Sequence, residues 1–184
     1  MNLNFENPLL KHLLLHPDKK FYFNELSRLL KRNPKLLSKD IKTYLELGLI
    51  EKTGSTRTSN IYLKESLLVI GIKKIWLLFA LKKYLIDLDN SIKRIILFGS
   101  FAKGNYSSTS DIDILVLVDG KTKKIDLSCF TKLEDYLDKE LGLVIYDTEE
   151  YYQKLKKKNK FATEINKYGV EIYDYYKNSR ELLI

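Results

Sequence analysis

The sequence contains one cysteine, Cys129, in 184 residues, so no intramolecular disulfide framework can staple the fold. Its neighbours Leu127, Ser128 and Phe130 read as a packed apolar setting in a reducing compartment. Histidine is almost as scarce, with two residues. His12 and His16 are four apart, a spacing that can ligate a metal, but no Cys, Asp or Glu pattern joins them, and surface or capping roles are the simpler reading. Long apolar runs are missing too. The most apolar region, residues 66–86, is interrupted by Lys73, Lys74, Lys82 and Lys83, whereas a membrane-spanning helix needs about 20 mostly apolar residues. The opening Met-Asn-Leu-Asn-Phe-Glu lacks a basic segment followed by an apolar stretch and a cleavage site, so the expected location is cytoplasmic, with no membrane partner. Acidic residues are in deficit, 24 Asp+Glu against 32 Lys+Arg, and the net charge of +8 favours a polyanionic partner such as nucleic acid or nucleotide phosphate.

What remains is ordinary for a folded chain. An apolar share of 45% with 30% charged residues is enough for a packed core, and the length allows one large domain or two small ones.

The three prolines fall in the first 34 residues and punctuate helices. Pro8 opens a run with Leu9, Leu10, Leu13 and Leu14 at helical spacing, and Pro17-Asp18 closes it. A short extended piece at residues 21–23 precedes a helix capped by Asn24 that carries Leu26, Leu29 and Leu30 and ends at Asn33-Pro34. From Pro34 a further helix presents Leu37, Ile41, Tyr44 and Leu45 on one face, with Gly48 where a C-terminal cap belongs. Its other face carries Lys35, Ser38, Lys39 and Lys42. Residues 50–52 and 60–63 are extended runs joined by a polar turn, predicting a hairpin with Arg57 near its tip.

This order, with "FNELSRLL" and "LLSKDIKTYLELGLIEK", resembles the winged helix-turn-helix family over residues 5–65. The resemblance implies a duplex DNA partner, with the second helix of the pair in the major groove and DNA-facing roles for Lys35, Ser38, Lys39, Lys42 and Arg57. The alternatives are that these cations are the solvated side of an amphipathic helix, or that the winged helix is a protein–protein module. Residues 66–89 read as a connecting helix, broken by Asp89-Asn90. The expected domains are therefore 1–65, the linker 66–89, and 90–184.

Residues 91–120 carry the chemistry. A strand at 92–98 runs into Gly99-Ser100 and a short helical turn, where exposed backbone N–H groups and a hydroxyl can hold phosphate oxygens. After a polar loop, Asp111 and Asp113 stand two apart, so on a strand both leave the same face, about 6–7 Å apart along the rise. Such a pair suits Mg²⁺, which takes oxygen ligands and keeps coordination free for water and phosphate. The run 114–118 is apolar on both faces, the pattern of a central strand. If it pairs antiparallel with 92–98, Gly99-Ser100 comes to lie beside the aspartates.

The stretch "LFGSFAKGNYSSTSDIDILVLV" resembles the signature of the DNA polymerase beta nucleotidyltransferase superfamily, Gly-Ser, ten residues, then Asp-x-Asp, and is most similar to the minimal nucleotidyltransferases. The likeness extends in layout over residues 90–178. It implies an α+β fold: a nucleotidyltransferase-type mixed β-sheet with flanking helices, following the winged helix and linker helix. It implies that Gly99, Ser100, Lys103 and Ser110 bind a nucleoside triphosphate, that Asp111 and Asp113 bind two Mg²⁺ ions, and that a partner protein is one possible hydroxyl acceptor.

The family supplies a third carboxylate on a later strand. Here that strand reads Leu143-Val144-Ile145-Tyr146-Asp147, and aligned by its neighbours the acid falls at Ile145. Asp147 is a displaced candidate for the catalytic role, or it is the N-cap of the helix that follows. Asp126 reads as a cap in the same way. The run 151–160 mixes tyrosine and lysine as single-stranded nucleic-acid grooves do, and also as a solvated helix does. Two functions follow: transfer of a nucleoside monophosphate from a triphosphate to a hydroxyl, coupled to DNA binding, or a DNA-binding regulator whose nucleotidyltransferase-like domain has lost its chemistry.

Overall fold

The computed structural model describes residues 3–54, 59–86, 88–120 and 125–176. The chain divides into two compact units, Met1–Trp76 with Tyr106–Thr109, and Leu77–Asn105 with Ser110–Ile184.

In the first unit, helix α1 (Pro8–Leu15) starts where Asn7 Oδ1 accepts the N–H groups of Leu9 and Leu10 at 2.9 and 3.4 Å. It buries Leu9, Leu10, Leu13 and Leu14 completely. Strand β1 (Phe21–Tyr22) leads into α2 (Phe23–Leu29), which begins earlier than its sequence suggests. Glu25 Oε2 accepts the Tyr22 N–H at 3.1 Å, so Asn24 lies inside the first turn instead of capping it. Helix α3 (Pro34–Glu46) is capped by Asn33, whose Oδ1 accepts from Lys35 N at 2.8 Å. It buries Leu37, Ile41 and Tyr44, while Leu45 is exposed. Strands β2 (Ile50–Thr53) and β3 (Asn60–Leu63) pair antiparallel, β1 adds to β3, and the order is β1-β3-β2. Arg57 lies outside the described residues. The segment Tyr106–Thr109 belongs to this unit: Tyr106 Oη donates to Leu14 O at 2.8 Å, and the Ser108 N–H and hydroxyl donate to Asp18 at 2.6 and 3.0 Å.

Helix α4 (Leu67–Tyr84) opens where Ser66 Oγ accepts from Val69 N at 3.2 Å. It is shorter than the 66–89 connecting helix read from the sequence. Among the described residues no helix is long and apolar enough to cross a membrane.

The second unit is built on a four-stranded sheet of order β6-β5-β4-β7, comprising β4 (Ile92–Leu97), β5 (Ile112–Val118), β6 (Leu141–Asp147) and β7 (Val170–Asp174). Strand β4 is antiparallel to β5 and β7, whereas β5 and β6 are parallel. A parallel pair needs a crossover, and α6 (Ser128–Leu137) provides it, burying Phe130, Leu133 and Leu137. Helices α7 (Thr148–Lys156) and α8 (Lys160–Tyr168) cover the sheet face of Ile96, Leu115 and Leu117 with Tyr151, Ala162 and Ile165. Arg94 ties β4 to β7 through Glu171 and Asp174, and donates to Tyr152 Oη at 2.9 Å. The observed fold is thus α+β with a mixed sheet, and β5, apolar on both faces, lies inside it.

His12, read from the sequence as a surface or capping residue, is half-buried. Its ring packs 4.7 Å from Phe21 and 4.7 Å from His16, centroid to centroid. Burial, then the nearby His16, lowers its pKa to about 4. The unfolded chain, with an ordinary imidazole near 6.5, binds this proton first, so folding stability is lost as pH falls from about 6.5 towards 4. Urea unfolding at pH 7 and pH 4.5 is expected to show a deficit of about 1–2 kcal/mol at the lower pH, discounted for partial exposure, that the His12→Phe variant lacks. Equal pH dependence in both proteins would remove His12 as its source.

Candidate functional site

The site forms where β4 leaves the sheet. Phe98 extends the β4–β5 pairing by one residue, its N–H donating to Asp113 O at 2.9 Å. The chain then turns at Gly99, which has φ +69°, a left-handed conformation that side chains other than glycine's disfavour. Space imposes the same choice: a Cβ on Gly99 would lie 2.0 Å from Asp113 Oδ2. On the neighbouring strand Gly142 pairs with Asp113, and a Cβ there would lie 3.1 Å from Asp113 Oδ1. Each carboxylate oxygen of Asp113 therefore faces a glycine.

From Gly99 the short helix α5 (Gly99–Lys103) runs to Gly104, whose φ of +80° ends it. Ser100 is half-buried at its start, and Asp111 is exposed just before β5. Lys139 Nζ donates to Ser110 O at 3.2 Å, which brings a cation beside the first aspartate. Burial, and secondly the charge of Asp111, raises the Asp113 carboxyl above the usual carboxylate range. Carboxylate oxygens two residues apart, one of them on an Asp113 anion that burial and the charge of Asp111 disfavour, are suited to a hard divalent cation, so Asp111 and Asp113 fit Mg²⁺. Among the described residues no group of three or more Asp, Glu, His or Cys gathers in a way that could hold a metal.

The displaced acid is not part of this group. Paired residues share a sheet face, so the β6 positions on the Asp113 side are Gly142, Val144 and Tyr146; the last two pack with Leu115 and Leu117. Ile145 pairs with Val116 and Asp147 with Val118, which puts both on the opposite face. Asp147 is also five positions along the strand from the partner of Asp113, about 16 Å by strand rise. Its Oδ1 accepts from Glu149 N at 2.9 Å and Glu150 N at 3.2 Å, the N-cap of α7. The catalytic reading of Asp147 is therefore corrected to the cap reading. Asp126 accepts from Ser128 N at 2.8 Å from one residue ahead of the actual cap position, Leu127.

Lys103 does not point freely at the phosphate turn, because its Nζ meets Glu164 Oε1 at 3.3 Å. Lys35, Ser38, Lys39 and Lys42 are all exposed on α3, and Lys42 approaches Glu46 at 3.9 Å. Two residues at the site escaped sequence reasoning. Gly142 had a usable signal, since glycine inside a strand often marks a close approach. Lys139 had none: the left-handed φ of +50° at Asp138 precedes it, and only the fold carries it to Ser110.

Gly99→Ala is expected to cost about 2–3 kcal/mol, combining positive-φ strain with displacement of the Asp113 carboxylate. Denaturant unfolding measures this. A loss below about 0.5 kcal/mol would mean that Asp113 swings aside at little cost, and that the close seat is not a constraint.

Comparison with known proteins is consistent with this geometry. The nucleotidyltransferase domain family matches residues 80–183, more than half of the chain. A candidate protein adenylyltransferase of Methanocaldococcus jannaschii is 33% identical over 89 residues, covering 46% of this chain and 83% of that protein. A second from the same organism is 42% identical over 64 residues, covering 35% of this chain and 62% of its own length. Among solved structures, a toxin-antitoxin with AMP-PNP is 24% identical and covers 56% of this chain and 77% of that one, at a TM-score of 0.39 too loose to argue from. On the family match over 80–183 and the first of these relatives, this chain belongs to the nucleotidyltransferase domain family.

Proposed function

We propose that the second unit transfers a nucleoside monophosphate from a nucleoside triphosphate to a hydroxyl acceptor, with Asp111 and Asp113 holding Mg²⁺. The observation that carries this reading is the seat of Gly99 on the Asp113 carboxylate. It brings the first turn of α5, with Ser100, next to a carboxylate suited to a hard cation, and a triphosphate would use both together. In the reaction the acceptor oxygen bonds to the α-phosphorus, the bond from that phosphorus to the bridging oxygen breaks, pyrophosphate leaves, and the acceptor proton passes to solvent. Bound Mg²⁺ supplies charge neutralisation at the phosphoryl oxygens. The chain's own part is positioning: Gly99, Ser100 and Ser110 border the phosphate path, and Phe98 N–H holds the Asp113 backbone in register. The names of the Methanocaldococcus jannaschii relatives favour ATP as donor and a protein hydroxyl as acceptor.

A second reading has its own support. With Gly142, Val144 and Tyr146 on the Asp113 face, β6 offers no acid to take the acceptor proton, which favours a regulator that binds nucleotide without turning it over. The test is incubation with Mg²⁺ and labelled ATP, alone and with cell extract. Label transfer that Asp111→Asn/Asp113→Asn reduces by roughly 10³-fold or more supports the enzyme. Nucleotide binding without transfer to any acceptor supports the regulator, and no Mg²⁺-dependent binding removes both.

For the first unit we propose a winged helix-turn-helix module over residues 1–65 that binds duplex DNA, with 66–89 as linker and 90–184 as the nucleotidyltransferase domain. The succession of α2, α3 and the β2–β3 hairpin supports it, as do the exposed Lys35, Ser38, Lys39 and Lys42 along α3; Arg57 would act from the wing. Lys35→Ala/Lys39→Ala/Lys42→Ala is expected to lower the slope of log affinity against log salt by about 3, close to one per lost phosphate contact. An unchanged slope would take α3 out of the interface.

A further inference from the structure

We infer that the cavity beside Gly99 receives the nucleobase of the bound triphosphate, a base that carries an exocyclic amino group; this rests on the nucleotide-binding reading above. The cavity lies between α5 and α8 and measures about 220 Å³. That is below the roughly 300–1,000 Å³ typical of pockets that enclose a whole drug-sized ligand, so it suits one ring system and not a complete nucleotide. Its walls are aromatic: Phe98, Phe161 and Tyr168 line it, with Gly99, Lys103 and Glu164.

Three features point to a base as occupant. Phe98 and Phe161 meet edge to face, centroids 5.6 Å apart at 89°, so the wall offers a flat guest both a ring face and a ring edge. Bases stack on such surfaces whatever their sequence identity. Lys103 and Glu164 form an ion pair at 3.3 Å with side chains 47% and 55% exposed. An exposed pair of this kind is worth little and rearranges cheaply. It leaves a carboxylate oxygen to accept from an exocyclic amino group and an ammonium to donate to a ring nitrogen. Finally, Gly99 lines the cavity and also abuts the Asp113 carboxylate. The cavity therefore lies immediately beside the Gly99-Ser100 turn, within reach of the base of a ligand whose phosphates sit on that turn.

Calorimetric titration of the full chain in Mg²⁺ with ATP, UTP and inorganic tripolyphosphate tests the assignment. ATP is expected to bind more tightly than UTP and than tripolyphosphate. Phe161→Ala and Tyr168→Ala should each weaken ATP by about tenfold, the worth of a stacked base, with tripolyphosphate unchanged. Phe161→Leu, which keeps apolar bulk on α8, should produce a smaller loss in the same direction. ATP affinity unaffected by all three variants, or lost in step with tripolyphosphate, overturns the base site while nucleotide binding stands. UTP equal to ATP overturns the assignment to an amino-bearing base. If neither ATP nor tripolyphosphate binds, the nucleotide reading fails and the base site with it.

Discussion

The Asp113 carboxylate is packed where two side chains would otherwise be. One oxygen occupies the space of a Gly99 Cβ and the other crowds that of Gly142, so a charged group sits at van der Waals contact with the backbone of two neighbouring chain segments. Much of the second unit is arranged around that contact. Gly99 must adopt a left-handed conformation, which turns the chain out of β4 and into α5. The Phe98 N–H to Asp113 carbonyl bond fixes the height of that turn against β5. The parallel β5–β6 register, with Gly142 opposite Asp113, leaves the carboxylate unobstructed on its other side.

The arrangement has an electrostatic cost that is also its use. Burial and the neighbouring Asp111 both disfavour the Asp113 anion, and nothing in the β6 strand relieves it. A bound divalent cation would reverse the sign of the local field, because it favours the charged form of both aspartates. Two carboxylates on one edge make little sense as scaffold, where an apolar pair would pack better. They are reasonable in a protein that meets a cation with its substrate. The mixed sheet supplies the rigidity this needs, since Ile114, Leu115, Val116 and Leu117 are fully buried directly behind the aspartates.

The site is asymmetric. On the β4 side it is crowded, with Gly99, Ser100, the aromatic cavity and α8; on the β6 side it offers Gly142, then Val144 and Tyr146, both committed to the core beneath α7. Carboxylates near β6 are used elsewhere: Asp147 begins α7, and Glu134 Oε1 accepts the Leu141 N–H at 2.9 Å. Both of these acids thus serve a helix or strand end.

How much of this was legible beforehand depends on the range of the interaction concerned. Local periodicity located the helices and strands of the first unit, and β4 in the second, to within a few residues, and the apolar run 114–118 identified an internal strand, because a strand covered on both sides has no polar face to display. The Gly-Ser and Asp-x-Asp spacing marked the functional segment, since backbone conformation at glycine and side-chain alternation along a strand are properties of neighbours in sequence. Cap positions were less secure: α2 starts ahead of Asn24, where Glu25 reaches back to the Tyr22 N–H. For Asp147 the sequence offered two roles, catalytic acid or N-cap, and could not choose between them. Whether Asp147 joined Asp113 depended on the register of a parallel pair with a helix between its strands, and a shift of one residue there moves every side chain to the other face. Lys139 at Ser110, Glu164 at Lys103 and the contact of Gly142 with Asp113 depend on the same long-range pairing. The sequence by itself therefore determined the elements and the chemistry of the motif, whereas tertiary structure alone decided which distant residues share its face, because register is set by the packing of the whole sheet and not by any segment within it.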